Sequence, residues 1–154
     1  MEQNKSKKYF SILFSFFLIA GCQYNLVQSS PIELEKIEFG SNVKDSFKRK
    51  TVKYFSISSS NNNLSLKILN VKFKKKNYYG GTAARAKQIE IIGELQYNFV
   101  NSALNKNGTL KTSSWIPVNE ANPLSEMLAQ KTIIEELEFI LLEKLTEEYW
   151  LIES

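Results

Sequence analysis

The stretch Gln88-Ile89-Glu90-Ile91-Ile92-Gly93-Glu94-Leu95-Gln96-Tyr97-Asn98-Phe99 decides the fold. Ile89, Ile91, Leu95, Tyr97 and Phe99 share one parity, and Gln88, Glu90, Glu94, Gln96 and Asn98 share the other. A period of two held over this length is a β-strand with one face buried and the other wet or covered by polar surface. Gly93 falls on the apolar parity, where something bulky, a helix side chain first of all, is expected to come close.

Immediately upstream, Lys74 to Lys87 reads as a long hairpin loop, flexible at Gly80-Gly81 and carrying Lys74, Lys75, Lys76, Arg85, Lys87 and two tyrosines. Either its lysines discourage edge pairing at a solvated tip, or they form a site for a phosphorylated ligand. No Gly-Lys-Ser/Thr follows the glycines and no helix opens there, which argues against a nucleotide loop. Before the hairpin, Leu64 to Phe73 is a second strand whose parity slips at Leu69-Asn70, the mark of a bulge. Downstream, Asn107-Gly108 suggests a turn into a strand from Thr109 to Val118, with Leu110, Thr112, Ser114 and Ile116 on one side and Trp115 on the other. These three strands form an antiparallel meander.

Asn122-Pro123 is a helix start, a capping side chain followed by proline in the first turn, and no proline or glycine follows. Leu124, Leu128, Ile134, Leu137, Leu141 and Leu145 trace one stripe, with Glu135, Glu136, Glu138, Glu143, Glu147 and Glu148 mostly outward. That pattern suits a core helix covering the sheet, since a membrane-lying helix would carry a basic polar face. The tail Tyr149-Trp150-Leu151 packs on the domain or meets a partner. Nearer the start, Pro31 to Phe39 is a strand that changes parity near Lys36. Residues 43–55 place Phe47, Val52 and Phe55 roughly on one helical side, but Thr51, Val52, Tyr54 and Phe55 suit a strand equally, and both readings stay open. Ser56 to Asn63 is a loop. The first strand then joins the meander by a right-handed crossover, parallel to the second. The expected class is α+β with a mixed, mostly antiparallel four-stranded sheet.

The chain begins with Lys5, Lys7 and Lys8, an apolar run from Tyr9 to Ile19, and then Ile19-Ala20-Gly21-Cys22. The run has the length of a signal-peptide core and is too short to span a bilayer. The small residues abutting the only cysteine resemble the lipobox of bacterial lipoproteins. That resemblance implies a signal peptide over 1–21, cleavage after Gly21, a diacylglycerol on the Cys22 thiol and an acyl chain such as palmitate on the new amino terminus. One acyl chain gives marginal binding and two or three give a lasting anchor. A buried free cysteine and an uncleaved membrane helix are the competing readings. Gln23 in place of Asp resembles an outer-membrane address. Residues 22–30 then form a tether, and residues 31–154 form one domain, without a disulfide.

Charge is unevenly spread along the chain. Residues 22–118 hold 15 basic and 6 acidic side chains, and residues 119–154 hold 2 lysines and 9 glutamates. The basic part suits phosphate or an anionic surface, while export argues against nucleic acid. With no histidine, a lone aspartate at Asp45 and a lone cysteine, the Ser-His-Asp, Cys-His and His-rich zinc constellations are excluded. The glutamates of the last helix are spaced as a solvated face, and the chain reads as no enzyme, with no catalytic residues, no metal and no cofactor beyond the covalent acyl chains.

In order, the lipobox, Cys22-Gln23-Tyr24-Asn25-Leu26, a long hairpin with Gly-Gly-Thr-Ala-Ala before a strongly alternating strand, and Asn122-Pro123-Leu124 opening a long final helix resemble the LPS-assembly lipoprotein family LptE, also called RlpB. The resemblance implies a two-layer sandwich of two helices on a four-stranded sheet. It also implies an outer-membrane lipoprotein on the periplasmic face, anchored in the inner leaflet. Such a protein plugs the outer-membrane β-barrel LptD, helps it assemble, and binds lipopolysaccharide during transport to the cell surface. The resemblance places a basic ligand-facing group near the hairpin tip, where this chain has Lys74, Lys75, Lys76, Arg85 and Lys87. The alternative is a free-standing lipid-anchored periplasmic domain that binds an anionic envelope lipid or polymer, and a third reading, a periplasmic hydrolase, needs a glutamate pair in a cleft.

Overall fold

The computed structural model describes residues 31–58, 63–79, 86–118 and 121–153, without the side chains of residues 86 and 87. The expected signal peptide, Cys22, the expected tether, Gly80-Gly81 and Arg85 lie outside the described residues, as does the side chain of Lys87. In chain order the elements are β1 (Ile32–Leu34), β2 (Lys36–Phe39), α1 (Asp45–Tyr54), β3 (Phe55–Ile57), β4 (Ser65–Tyr79), β5 (Ala86–Val100), β6 (Asn105–Pro117) and α2 (Pro123–Glu153). A four-stranded sheet runs in the order β2-β4-β5-β6. β2 is parallel to β4, and the other neighbours are antiparallel. Both helices contribute buried side chains to the core beside the sheet, and the long C-terminal helix comes last, as the α+β expectation holds. β1 and β3 add a small parallel two-stranded sheet.

The alternation of β5 builds the core. Ile89, Ile91, Leu95, Tyr97 and Phe99 are all buried on one face. Leu95 and Phe99 join Leu34, Phe47, Phe55, Leu66, Ile68 and the α2 residues Leu141, Leu142 and Leu145 in the larger cluster. Ile89 and Ile91 join Ile116 and Leu137 in a second cluster nearer the hairpin end. At Gly93 a Cβ would lie 2.9 Å from Phe73 Cε1 and 3.2 Å from Leu141 Cδ1, so the missing side chain makes room for a neighbouring strand as well as the helix.

The parity change near Lys36 is a break between two strands. At Glu35, whose N–H donates to Leu64 O (3.0 Å), the chain passes from the small sheet to the large one. In residues 43–55 both propensities are expressed in succession. α1 has Asp45 in its first turn, bonded by Lys48 (2.8 Å), and Lys53 in its last turn. Those placements complement the helix dipole, and Phe55 then begins β3. The bulge at Leu69 is present as a register shift between Ile68 and Asn70.

Three loop assignments are corrected. Ser56 and Ile57, read as the start of a loop running to Asn63, belong to β3. Lys74 to Lys87 is mostly strand, since β4 runs to Tyr79 and β5 starts at Ala86. Its lysines read as a solvated loop in sequence, but Lys74 reaches Glu94 diagonally on the neighbouring strand, and cross-strand charge pairs favour the extended form. Asn107-Gly108 is no turn, because it lies inside β6. A Cβ at Gly108 would meet the Tyr97 hydroxyl at 2.6 Å, so glycine is there to let that ring cross. The turn is built by Asn101, whose Oδ1 accepts from the N–H groups of Ala103 (2.8 Å) and Leu104 (2.6 Å).

α2 starts as expected, with Asn122 Oδ1 accepting from Ser125 N (3.0 Å). Its stripe outruns the core, however: Leu124, Met127 and Leu128 are 61%, 60% and 55% exposed. Toward this end the helix-facing positions of β4 change from Val71 and Phe73 to Lys75 and Asn77, and Lys75 pairs with Glu126 (3.6 Å). Glu138 is not outward. It is buried, and Lys50 of α1 meets it at 2.6 Å, tying the two helices together.

Gly93→Val is expected to cost about 1–3 kcal/mol through overpacking. Urea unfolding would read this as a lower midpoint at unchanged slope. Adding Phe73→Leu is expected to cost less than the sum of the two single changes, and a neutral Gly93→Val would contradict the close approach.

Candidate functional site

Because side chains alternate, the face of the sheet turned away from the helices collects the polar parity of three long strands. In the ladder Lys72 lies opposite Glu94, and Glu94 lies opposite Lys111. Glu94 Oε2 is 2.9 Å from Lys72 Nζ and 3.3 Å from Lys74 Nζ, and Oε1 is 3.4 Å from Lys111 Nζ. The hydrogen bond from Lys72 is the largest influence on the carboxyl, and with Lys74 it lowers the pKa to about 2 against the opposing effect of partial burial. One carboxylate thus holds three ammonium groups, leaving a local surplus of positive charge.

Toward the hairpin end, Tyr78 Oη donates to Glu90 Oε2 (2.8 Å), and the Tyr78 and Trp115 rings are 4.5 Å apart. Lys76 Nζ lies 4.7 Å over the Tyr78 ring, a cation–π contact. Toward the other end, Glu38 pairs with Lys36 (2.6 Å) and Lys67 (3.3 Å). Among the described residues, this face therefore sets Lys36, Lys67, Lys72, Lys74, Lys76 and Lys111 against Glu38, Glu90 and Glu94. The opposite face uses its charges internally. Tyr97 Oη donates to Glu148 (2.8 Å), which also pairs with Lys106 (2.8 Å). Burial first, and then Glu148, raise the Tyr97 hydroxyl, while hydrogen bonds from Lys106 and Tyr97 lower the carboxyl of Glu148.

Of the cations singled out in the sequence, Lys74 and Lys76 share the outward face. Lys75 points to the helix side, at Glu126. β5 includes the backbone of Lys87, and Arg85 is outside the described residues. Sequence reading missed Lys72, Lys111 and Glu94 as members of the cluster, and the Tyr78–Trp115 pair. The alternation Lys72-x-Lys74-x-Lys76 was a signal for the face, whereas the contribution of Lys111 depends on the register of β6. The chemistry available is recognition: ammonium groups for charge-assisted bonds to phosphate or carboxylate oxygens, beside an aromatic pair with Trp115 half-exposed.

No family model matches the chain, and no curated protein matches it either. Solved structures do. Rare lipoprotein B from Shewanella oneidensis superposes with a TM-score of 0.65 at 9% identity, over 79% of this chain and 96% of that one. The fold is that of lipoprotein B. An uncharacterised lipoprotein B from Nitrosomonas europaea is similar at TM-score 0.60 and 10% identity, over 75% of this chain and 80% of that one. A minor lipoprotein from Acinetobacter baumannii is similar at 0.59 and 12%, over 77% and 92%. The resemblance read from the sequence is thus matched in the backbone, at identities too low for a residue-by-residue transfer.

The lowered carboxyl of Glu94 gives the pH dependence a sign. Its contribution to stability is complete above the ordinary value of 4.5 and is lost as pH falls toward about 2. Glu94→Gln is therefore expected to lower the melting temperature above pH 4.5 and to converge on the parent near pH 2. Thermal unfolding across this range checks it, and a constant difference would contradict the lysine cluster.

Proposed function

We propose that this chain is a lipid-anchored outer-membrane lipoprotein of the LptE type. It plugs and helps assemble the LPS-translocating barrel LptD and binds lipopolysaccharide on its way to the outer leaflet. The observation that carries the reading is the lipoprotein B fold presenting a lysine-rich sheet face. The lipobox at Ile19-Ala20-Gly21-Cys22 supports the anchor, with acyl chains on Cys22 holding the domain at the periplasmic side of the membrane. The fold has what such a role needs. Its helices close one side of the sheet, so the other side is left to meet a ligand, and the cations there suit the phosphates of a lipid A headgroup. The reading needs no catalytic group, and none is assigned.

A tagged mature chain, solubilised in mild detergent, is expected to bring down a large outer-membrane β-barrel at about one to one. Recovery of nothing larger than lipid, crosslinking included, would replace the plug with the free-standing binder of an anionic envelope lipid or polymer. On the ligand side, Lys74→Glu combined with Lys76→Glu is expected to weaken lipopolysaccharide binding roughly tenfold in a pull-down titration. Unchanged binding would remove these lysines from the ligand site.

A further inference from the structure

β4 is fifteen residues long, and β2 covers only its beginning, from Lys36 opposite Ser65 to Phe39 opposite Ile68. Gly40 N–H closes this pairing on Ile68 O (2.8 Å). From Asn70 to Tyr79, β4 is paired with β5 on one side, and no described strand lies on the other. Such a run of backbone donors and acceptors, with no described strand beside it, is a template for an added strand.

Two further features distinguish this edge. A recess of about 360 Å³ is lined by Val71, Lys72 and Phe73 of β4, Phe47 of α1 and Ile134 of α2, with Lys44 and Glu138 also contributing. Glu138 is already engaged by Lys50. Lys72, Lys74 and Lys76 stand on the outward face of the same stretch, whereas β6, the edge strand on the other side of the sheet, carries only Lys111 on that face, its carbonyl taken by Lys144 of α2 (2.8 Å). One side of an added strand would therefore lie above a recess that mixes apolar side chains with Lys44 and Glu138, and the other above a row of ammonium groups.

We propose that the free edge of β4 from Asn70 to Tyr79 is a strand-addition site for an extended, acidic segment of a partner protein, alternating apolar and carboxylate side chains. Main-chain hydrogen bonds to the edge supply the register. The apolar side chains enter the recess beside Phe73, and the carboxylates meet Lys72, Lys74 and Lys76. The lysines then serve two ends at once: they repel basic strands and would lose hydration without compensation beside a neutral one, which limits self-association, and they accept an acidic one. This site shares Lys72, Lys74 and Lys76 with the proposed lipopolysaccharide face, so an acidic strand and lipopolysaccharide would compete for them, while the backbone edge belongs to the strand alone.

The test uses the full mature chain in detergent and three probes: a capped hexapeptide of alternating Glu and Val, its twin with alternate backbone nitrogens methylated, and dodecyl phosphate. Amide hydrogen exchange is followed residue by residue. The hexapeptide at saturation is expected to slow exchange about tenfold at alternate positions between Asn70 and Tyr79, while the methylated twin, with the same charges and side chains, is expected to give no slowing. Equal slowing by the twin would reduce the effect to charge. Absence of slowing by the hexapeptide overturns the proposal, and if dodecyl phosphate alone perturbs Val71 and Phe73, the recess is an amphiphile site instead.

Discussion

Gly93 and Glu94 are neighbours on β5 and belong to opposite faces of the sheet, and the pleat that separates them sets the rest of the structure. On one side Phe73 and Leu141 close over Gly93, allowing α2 to seat its leucines on the sheet. On the other side Glu94 gathers Lys72, Lys74 and Lys111. A one-residue slip of β5 would exchange these environments, placing a carboxylate in the apolar core and isoleucines among lysines. Core and lysine-rich face are therefore specified by the same register.

The charge distribution follows from this division. The final helix holds most of the carboxylates of the domain and spends several of them inside it: Glu138 on Lys50, Glu148 on Lys106 and Tyr97, and Glu126 on Lys75. The sheet keeps a surplus of lysines on its outward face. A domain made this way presents its cations from rigid strands at fixed spacings, which suits a ligand with several anionic groups. The same rigidity suits a plug, whose shape must hold within an enclosing barrel.

Much of this was legible in the sequence because it rests on local periodicity. The strand at Gln88 to Phe99, the bulge at Leu69, the capped start of α2 and the close approach at Gly93 each follow from residues near one another. What was missed depends on residues far apart. Lys74 to Tyr79 reads as a loop until the glutamates and Trp115 are placed beside it. Gly108 reads as a turn residue until the Tyr97 ring is placed over it. Glu138 reads as solvated until Lys50 reaches it from α1. Lys74 and Lys76 were found, but their shared face with Lys72 and Lys111 emerges only from the ladder.

On the proposed reading lipopolysaccharide meets the outward face of the sheet, opposite the face on which α2 packs its buried leucines. Trp115 and Phe139 are both partly exposed, the first on the sheet's outward face and the second on α2. The most direct measurement places a photo-crosslinking amino acid at each position in turn, in living cells, and looks for lipopolysaccharide attached after irradiation. A lipopolysaccharide ladder is expected from position 115 and none from position 139. Adducts from position 139 alone, or equally from both, would contradict that reading.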